Sequence, residues 1–234
     1  MEESIENLMT EIRGGLELLE GNLPHRVDPM VSPASRLPFK ALVYRAALSW
    51  RMAELSRGAF ESFENNQIAR AILLTRAAVE TGAGLWYLGA KLDAAVKAGA
   101  EGDINDYLMK LMMGSRTNPE MPSAISVLTF VARVEKDVEG FSQQYDLLSE
   151  YSHPNWAGTA RLYSKPDATN LWTDFGRNIR GIAPPKKVGI INLSVALMFF
   201  ELSYNRVGDN MPAFIALCEN NSKEGGTSDT TETA

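Results

Sequence analysis

The stretch from Gln67 to Lys97, QIARAILLTRAAVETGAGLWYLGAKLDAAVK, constrains the fold more than any other part of the chain. Between Ala71 and Ala90 its only charged residues are Arg76 and Glu80, set among Ala, Ile, Leu, Val, Trp and Tyr. A helix that is apolar on nearly all sides belongs inside a protein, with other helices around it. A helix of this length spans roughly 46 Å, the depth of a large bundle. Gly82, Gly84 and Gly89 each cost about 1 kcal/mol against Ala inside a helix. Close crossing by a neighbouring helix explains them best; a kink is the other reading.

The flanking sequence predicts further helices. Ser4 to Glu20 reads as one, capped by Ser4, with Ile5, Leu8, Met9, Ile12, Leu16 and Leu19 in a stripe, weakened at Gly14-Gly15 and ended by Gly21. Pro24, Pro29, Pro33 and Pro38 mark an extended surface connector. Pro38 opens a helix over Phe39 to Glu64, with Leu42, Val43, Ala46, Trp50, Ala53 and Ala59 or Phe60 facing inward. Asn65-Asn66 ends it, and so short a link makes it antiparallel to the central helix. Asp103 caps a helix over Ile104 to Met113, Ser123 opens one to Val138, and another runs from Phe141 to Tyr151, stopping before Pro154. Residues 159–183 read as an accessory hairpin, turning at Pro166 to Thr169 and leaning on the bundle, followed by a basic connector. Two helices, Lys186 to Asn205 and Met211 to Glu219, complete the domain, and the polar residues 222–234 read as a disordered tail. The expected architecture is all-α: one domain, residues 1–221, of six to eight helices around a long central one, with a small β-hairpin or flap.

Composition bounds the function. A hydrophobic content of 45% and a charged content of 22% suit a globular chain with a sizeable core. The net charge of −6 is uneven: residues 1–20 carry six Glu against Arg13, residues 222–234 carry −2, and the middle sums to +1. That neutral middle does not support a general nucleic-acid binder, although Arg177, Arg180, Lys186 and Lys187 form a local basic connector; a solvated loop is its plainer reading, and a seat for phosphates the sharper one. Cys218 is the only cysteine, so neither an intrachain disulfide nor a cysteine zinc site is available. The polar start MEESIEN is unlike a secretory signal, and Val188 to Phe200 is too short an apolar run to span a membrane. A cytoplasmic protein is expected.

Two stretches could carry chemistry. Arg76 and Glu80 lie four apart and share a helix face, so they are expected to be buried and paired. A structural ion pair is the plainer reading, and breaking a buried pair costs about 3–5 kcal/mol; lining a polar pocket is the sharper one. The densest polar stretch is Tyr145 to Trp156, YDLLSEYSHPNW, with Tyr145, Ser149 and Ser152 or His153 at helical spacing and Glu150 and Asn155 beside them. Tyr, Ser and His together can donate, accept and titrate near neutrality. A structural His153, bonded to the central helix and near Arg76 or Glu80, is weighed against a catalytic one.

The Arg76/Glu80 pair on a central helix, followed by Tyr145 to Pro154, resembles a family of uncharacterised bacterial all-helical proteins related to the HEPN domains (higher eukaryotes and prokaryotes nucleotide-binding). Many HEPN proteins are RNases that use an Arg four to six residues before a His. Here Leu148, Leu147 and Asp146 occupy those positions before His153, and His25 also lacks such an Arg. The resemblance then implies a helical, dimer-capable binding or scaffold domain, with Arg76, Glu80, Tyr145, Ser149, Glu150, His153 and Asn155 as binding residues and a protein partner or a second copy as occupant. An RNA-directed nuclease with a divergent site is the alternative. No cofactor or metal is expected: Glu150 and His153 have the E-x2-H spacing of di-iron bundles, but the only other histidine, His25, sits in the proline-rich connector.

Overall fold

The computed structural model of the protein describes residues 2–226. The elements are α1 (Glu2–Gly21), a 3-10 turn (Pro29–Val31), α2 (Leu37–Glu64), α3 (Ile68–Ala98), α4 (Ile104–Met113), α5 (Val127–Glu135), α6 (Phe141–Ser152), α7 (Ala160–Tyr163), strands β1 (Ser164–Asp167) and β2 (Trp172–Phe175), and α8 (Ala183–Gly226). The fold is an all-α bundle with a small antiparallel hairpin, as the pattern of apolar runs predicts. Helix α3 is the centre, packed against α2, α4, α5, α6 and α8. Its fully buried Ile72, Leu85, Leu88 and Leu92 join Met52, Phe60 and Phe63 of α2 and Phe214 of α8 in one core.

The α3 glycines are sites of close crossing. A Cβ on Gly82 would stand 3.1 Å from the Phe199 ring, and one on Gly89 3.2 Å from Arg206 Cδ, both on α8. Larger side chains would push α8 away and open the core it closes. Helix α3 ends at Gly99, whose left-handed φ of 64° lets its N–H reach the carbonyls of Ala95 and Val96.

Helix α8 differs most from expectation. The sequence predicts two helices separated near Gly208-Asp209-Asn210, yet one helix runs through, with Pro212 inside it. Buried Val207, Met211, Phe214 and Cys218 explain the continuity: their spacing keeps one apolar face on the core, and its burial outweighs the local preference for a break. The helix also carries residues 222–226, part of the expected tail. There Ser222 Oγ donates to Cys218 O at 2.8 Å and to Ala34 O at 3.2 Å. The rest of that expected tail, residues 227–234, lies outside the described residues. By length and composition alone, α8 could cross a membrane; here one side of it packs on α1, α2 and α3.

Smaller details also differ from expectation. Ser4 lies within α1 rather than at its cap. Asp103 makes no side-chain cap bond. Helix α5 starts at Val127 rather than Ser123, because the Ser115 N–H donates to Pro122 O and the Ala124 N–H donates to Ser115 O, which holds the preceding segment extended. Residues 160–163 form the short α7 rather than a strand. Trp50, expected inside, is 47% exposed; its Nε1 donates to Pro24 O at 2.8 Å and pins the proline-rich connector.

Candidate functional site

The predicted polar residues fall into two groups. In the first, Arg76 Nε and Glu80 Oε1 lie 3.3 Å apart on α3. Helix α6 lays the buried Tyr145 ring across them, with the Arg76 guanidinium 5.1 Å from its centroid. Arg76 Nη2 donates to the Tyr145 hydroxyl at 2.8 Å, and that hydroxyl donates to Glu80 Oε1 at 3.0 Å. The hydroxyl thus closes a three-membered clasp between two helices. The pair is not fully buried as expected: the two side chains retain 26% and 23% exposure, because the clasp sits at the edge of the α3/α6 contact. With each member engaged by the others, the clasp works as a structural joint.

The second group shapes the end of α6. Ser149 Oγ donates to Tyr145 O at 2.9 Å. Asn155 Nδ2 donates to Glu150 Oε2 at 2.8 Å, and Asn155 Oδ1 accepts from the Gly158 N–H at 3.1 Å. A Cβ on Gly158 would strike the His153 carbonyl, so this turn requires glycine. His153 follows the last helical residue in an extended conformation; its N–H donates to Ser149 O and its ring is exposed. The expected bond from His153 to the central helix is not formed, because His153 lies about 12 Å along the helix from Tyr145. The seven residues therefore do not converge on one site.

Sequence reasoning missed a second joint. Arg206 of α8 donates from Nε to Asp93 Oδ2 at 2.9 Å and from Nη2 to the same oxygen, while Asn210 Nδ2 donates to Asp93 Oδ1. The Arg206 guanidinium also covers the Trp86 ring, 4.2 Å from its centroid. Trp86 Nε1 donates to Asp137 Oδ2 at 2.9 Å, and Arg133 holds the other Asp137 oxygen at 3.0 Å. The signal that drew attention to Arg76 and Glu80 is absent here, since Asp93 stands two residues from Lys91 and Arg206 three from Asp209, so neither is an isolated charge.

A groove was also missed. A groove of about 450 Å³ runs between α1 and α8, within the usual size range of small-molecule sites. Ile12, Leu19, Leu197 and Phe200 give it an apolar floor, while Glu11 and Glu201 place carboxylates along it. Its lining contains neither Lys nor Arg. Tyr204 forms one wall and is held by Arg45, whose guanidinium lies 3.4 Å from the ring centroid. Burial pulls the Arg45 pKa below its ordinary value, but an arginine has so high a starting point that it remains a cation. The groove was illegible because its walls come from helices distant in sequence.

The hairpin projects instead of leaning on the bundle. All of β2 is exposed, with Trp172 at 60% and Phe175 at 78%. Gly176 N–H to Tyr163 O at 3.0 Å and Arg180 Nε to Ser164 O at 2.7 Å fix its base. In the basic connector, Lys186 Nζ donates to Asn66 Oδ1 at 2.9 Å, while Arg177 joins Arg70 and Tyr163 around a hollow at the start of α3. Among the described residues, no group of three His, Cys, Asp or Glu side chains could hold a metal ion. No family model, curated protein or solved structure matches the chain.

Proposed function

We propose that the protein is a helical binding module whose seat is the α1–α8 groove, and that the groove takes an apolar body with a cationic end. One observation carries this reading: an apolar floor bordered by Glu11 and Glu201, with no basic side chain in the lining. The floor removes apolar surface from water at roughly 25 cal/mol per Å². The carboxylates select against anions, for which no basic lining residue provides a counter-charge. A HEPN-like core and a cytoplasmic setting belong to the same proposal. The first is supported by the resemblance of the clasp helices; the second, weakly, by a lone cysteine whose thiol burial pushes up to about 12. The reading requires no catalysis, and His153 has no part in it.

Gly15 supplies the test. It lines the groove, and a Cβ there meets nothing within 4 Å, so Gly15→Phe should fill the seat without clashing. The neutral dye Nile red should fluoresce on wild type and bind at least tenfold more weakly to Gly15→Phe, with the melting temperature maintained. Equal uptake by both proteins would reject the groove as the seat.

A second reading, contact with RNA, is favoured by the flap, where exposed Trp172 and Phe175 stand near Lys165, Arg177 and Arg180. Aromatic faces among cations suit single strands. Cleavage of a labelled single-stranded RNA by purified protein, abolished in a folded His153→Ala variant, would decide for the divergent nuclease. Intact RNA in both cases would leave the binding module.

A further inference from the structure

Helix α8 carries more apolar surface than the bundle covers. Ile191, Val195, Met198 and Leu202 are between 40% and 58% exposed and lie along one face. Their spacing of four, three and four residues is that of a coiled-coil seam, which buries a narrow stripe against another helix. The neighbouring hollows widen the stripe. Met198 shares the α1–α8 groove with exposed Leu18, and Val195 shares a hollow at the start of α6 with exposed Val138. The apolar surface thus continues across α8 from α1 to α6, as an interface needing about 800 Å² from each partner requires.

We infer that this face pairs with the same face of a second copy, α8 against α8, antiparallel about a two-fold axis between Ala196 and Leu197. The spacing of the seam reads the same from either end. An antiparallel copy therefore sets Ile191 against Leu202 and Val195 against Met198, each contact made twice, as a two-fold interface requires. Charge chooses the direction. The exposed charged residues on this face are Lys187 near the N-terminal end and Glu201 and Asp209 toward the other. Antiparallel pairing brings Lys187 of one copy within a turn of Asp209 of the other. Parallel pairing stacks Lys187 on Lys187 and Glu201 on Glu201, a like-charge arrangement that disfavours association. The inference goes beyond the groove reading. Ile191 and Leu202 do not line the groove and Gly15 lies off the seam, so either reading can fail without the other.

Sedimentation equilibrium of the full chain tests it. Wild type should have twice the chain mass, and Ile191→Glu should weaken association at least tenfold while keeping the helical circular dichroism of wild type. Leu202→Lys should do the same, which guards against one variant misfolding. Combining Ile191→Glu with Leu202→Lys should restore the dimer, because the antiparallel register places each new carboxylate beside a new ammonium of the other copy. A monomeric wild type at about 100 μM, a level a specific dimer should exceed in affinity, would overturn the inference. So would a dimer indifferent to Ile191→Glu, or a double variant that stays dissociated. Binding of the monomer to phosphatidylcholine vesicles through Ile191 and Leu202 would assign the face to a lipid surface instead, and would equally overturn it.

Discussion

Tyr145 shows what single side chains contribute here. Its hydroxyl accepts from Arg76 and donates to Glu80, so it converts a neighbouring charge pair on one helix into a joint between two. Hydrogen bonds to charged groups are worth about 1.5–3 kcal/mol, and partial exposure reduces that. Tyr145→Phe should therefore cost about 1–2 kcal/mol, read as a drop of roughly 2–8 °C in melting temperature for a chain of this size. Arg76→Ala should fall in the same range, below the 3–5 kcal/mol of a fully buried pair, because solvent rehydrates the Glu80 carboxylate left behind. Unchanged melting in both variants would show that the clasp holds nothing. Residue types indicated that Arg76, Glu80 and Tyr145 matter, since isolated charges in an apolar helix need partners. They did not indicate that His153 stands apart, because its distance from the clasp depends on where α6 crosses α3.

Elements were legible where the local pattern and tertiary burial agree. Helix α3 is visible in the sequence because only Arg76 and Glu80 break its apolar run from Ala71 to Ala90, and its end is marked by a glycine at positive φ. In sequence, α8 reads as two helices because Gly208, Asp209, Asn210 and Pro212 weaken any local helix. Only packing shows that Val207 and Met211 bridge that stretch on one buried face. Helix α1, one wall of the groove, is tied down by a forked bond: Arg57 Nε and Nη2 reach the two Glu20 oxygens at 2.8 and 2.6 Å. Those bonds hold the Glu20 carboxyl below its ordinary value near 4.5. A carboxyl depressed on folding stabilises the fold above its unfolded value, and that stability is lost as pH falls through the folded value. The melting temperature of wild type should accordingly fall more steeply below about pH 4.5 than that of Glu20→Gln, which has no such proton to gain. Parallel acid profiles would mean that the fork contributes nothing measurable.

At the scale of the molecule, the eight helices of the described residues, with α3 at their centre, leave three surfaces uncovered: the α1–α8 groove, the α8 seam and the projecting hairpin. The hairpin was legible as an element but not as a projection, and the groove and the seam were not legible, since one is formed by residues brought together in space and the other by an apolar face left without a cover. On the proposed reading, the carboxylates of Glu11 and Glu201 give the groove a preference for cations. Paired calorimetric titrations with octyltrimethylammonium and octyl sulfate, below their micellar concentrations, test that preference most directly. The two probes share an apolar chain and differ in the sign of the head. Wild type should bind the cation saturably and at least tenfold more tightly than the anion, and Gly15→Phe should lose the cation site. Equal affinity for both heads, or cation binding that survives Gly15→Phe, would contradict the account.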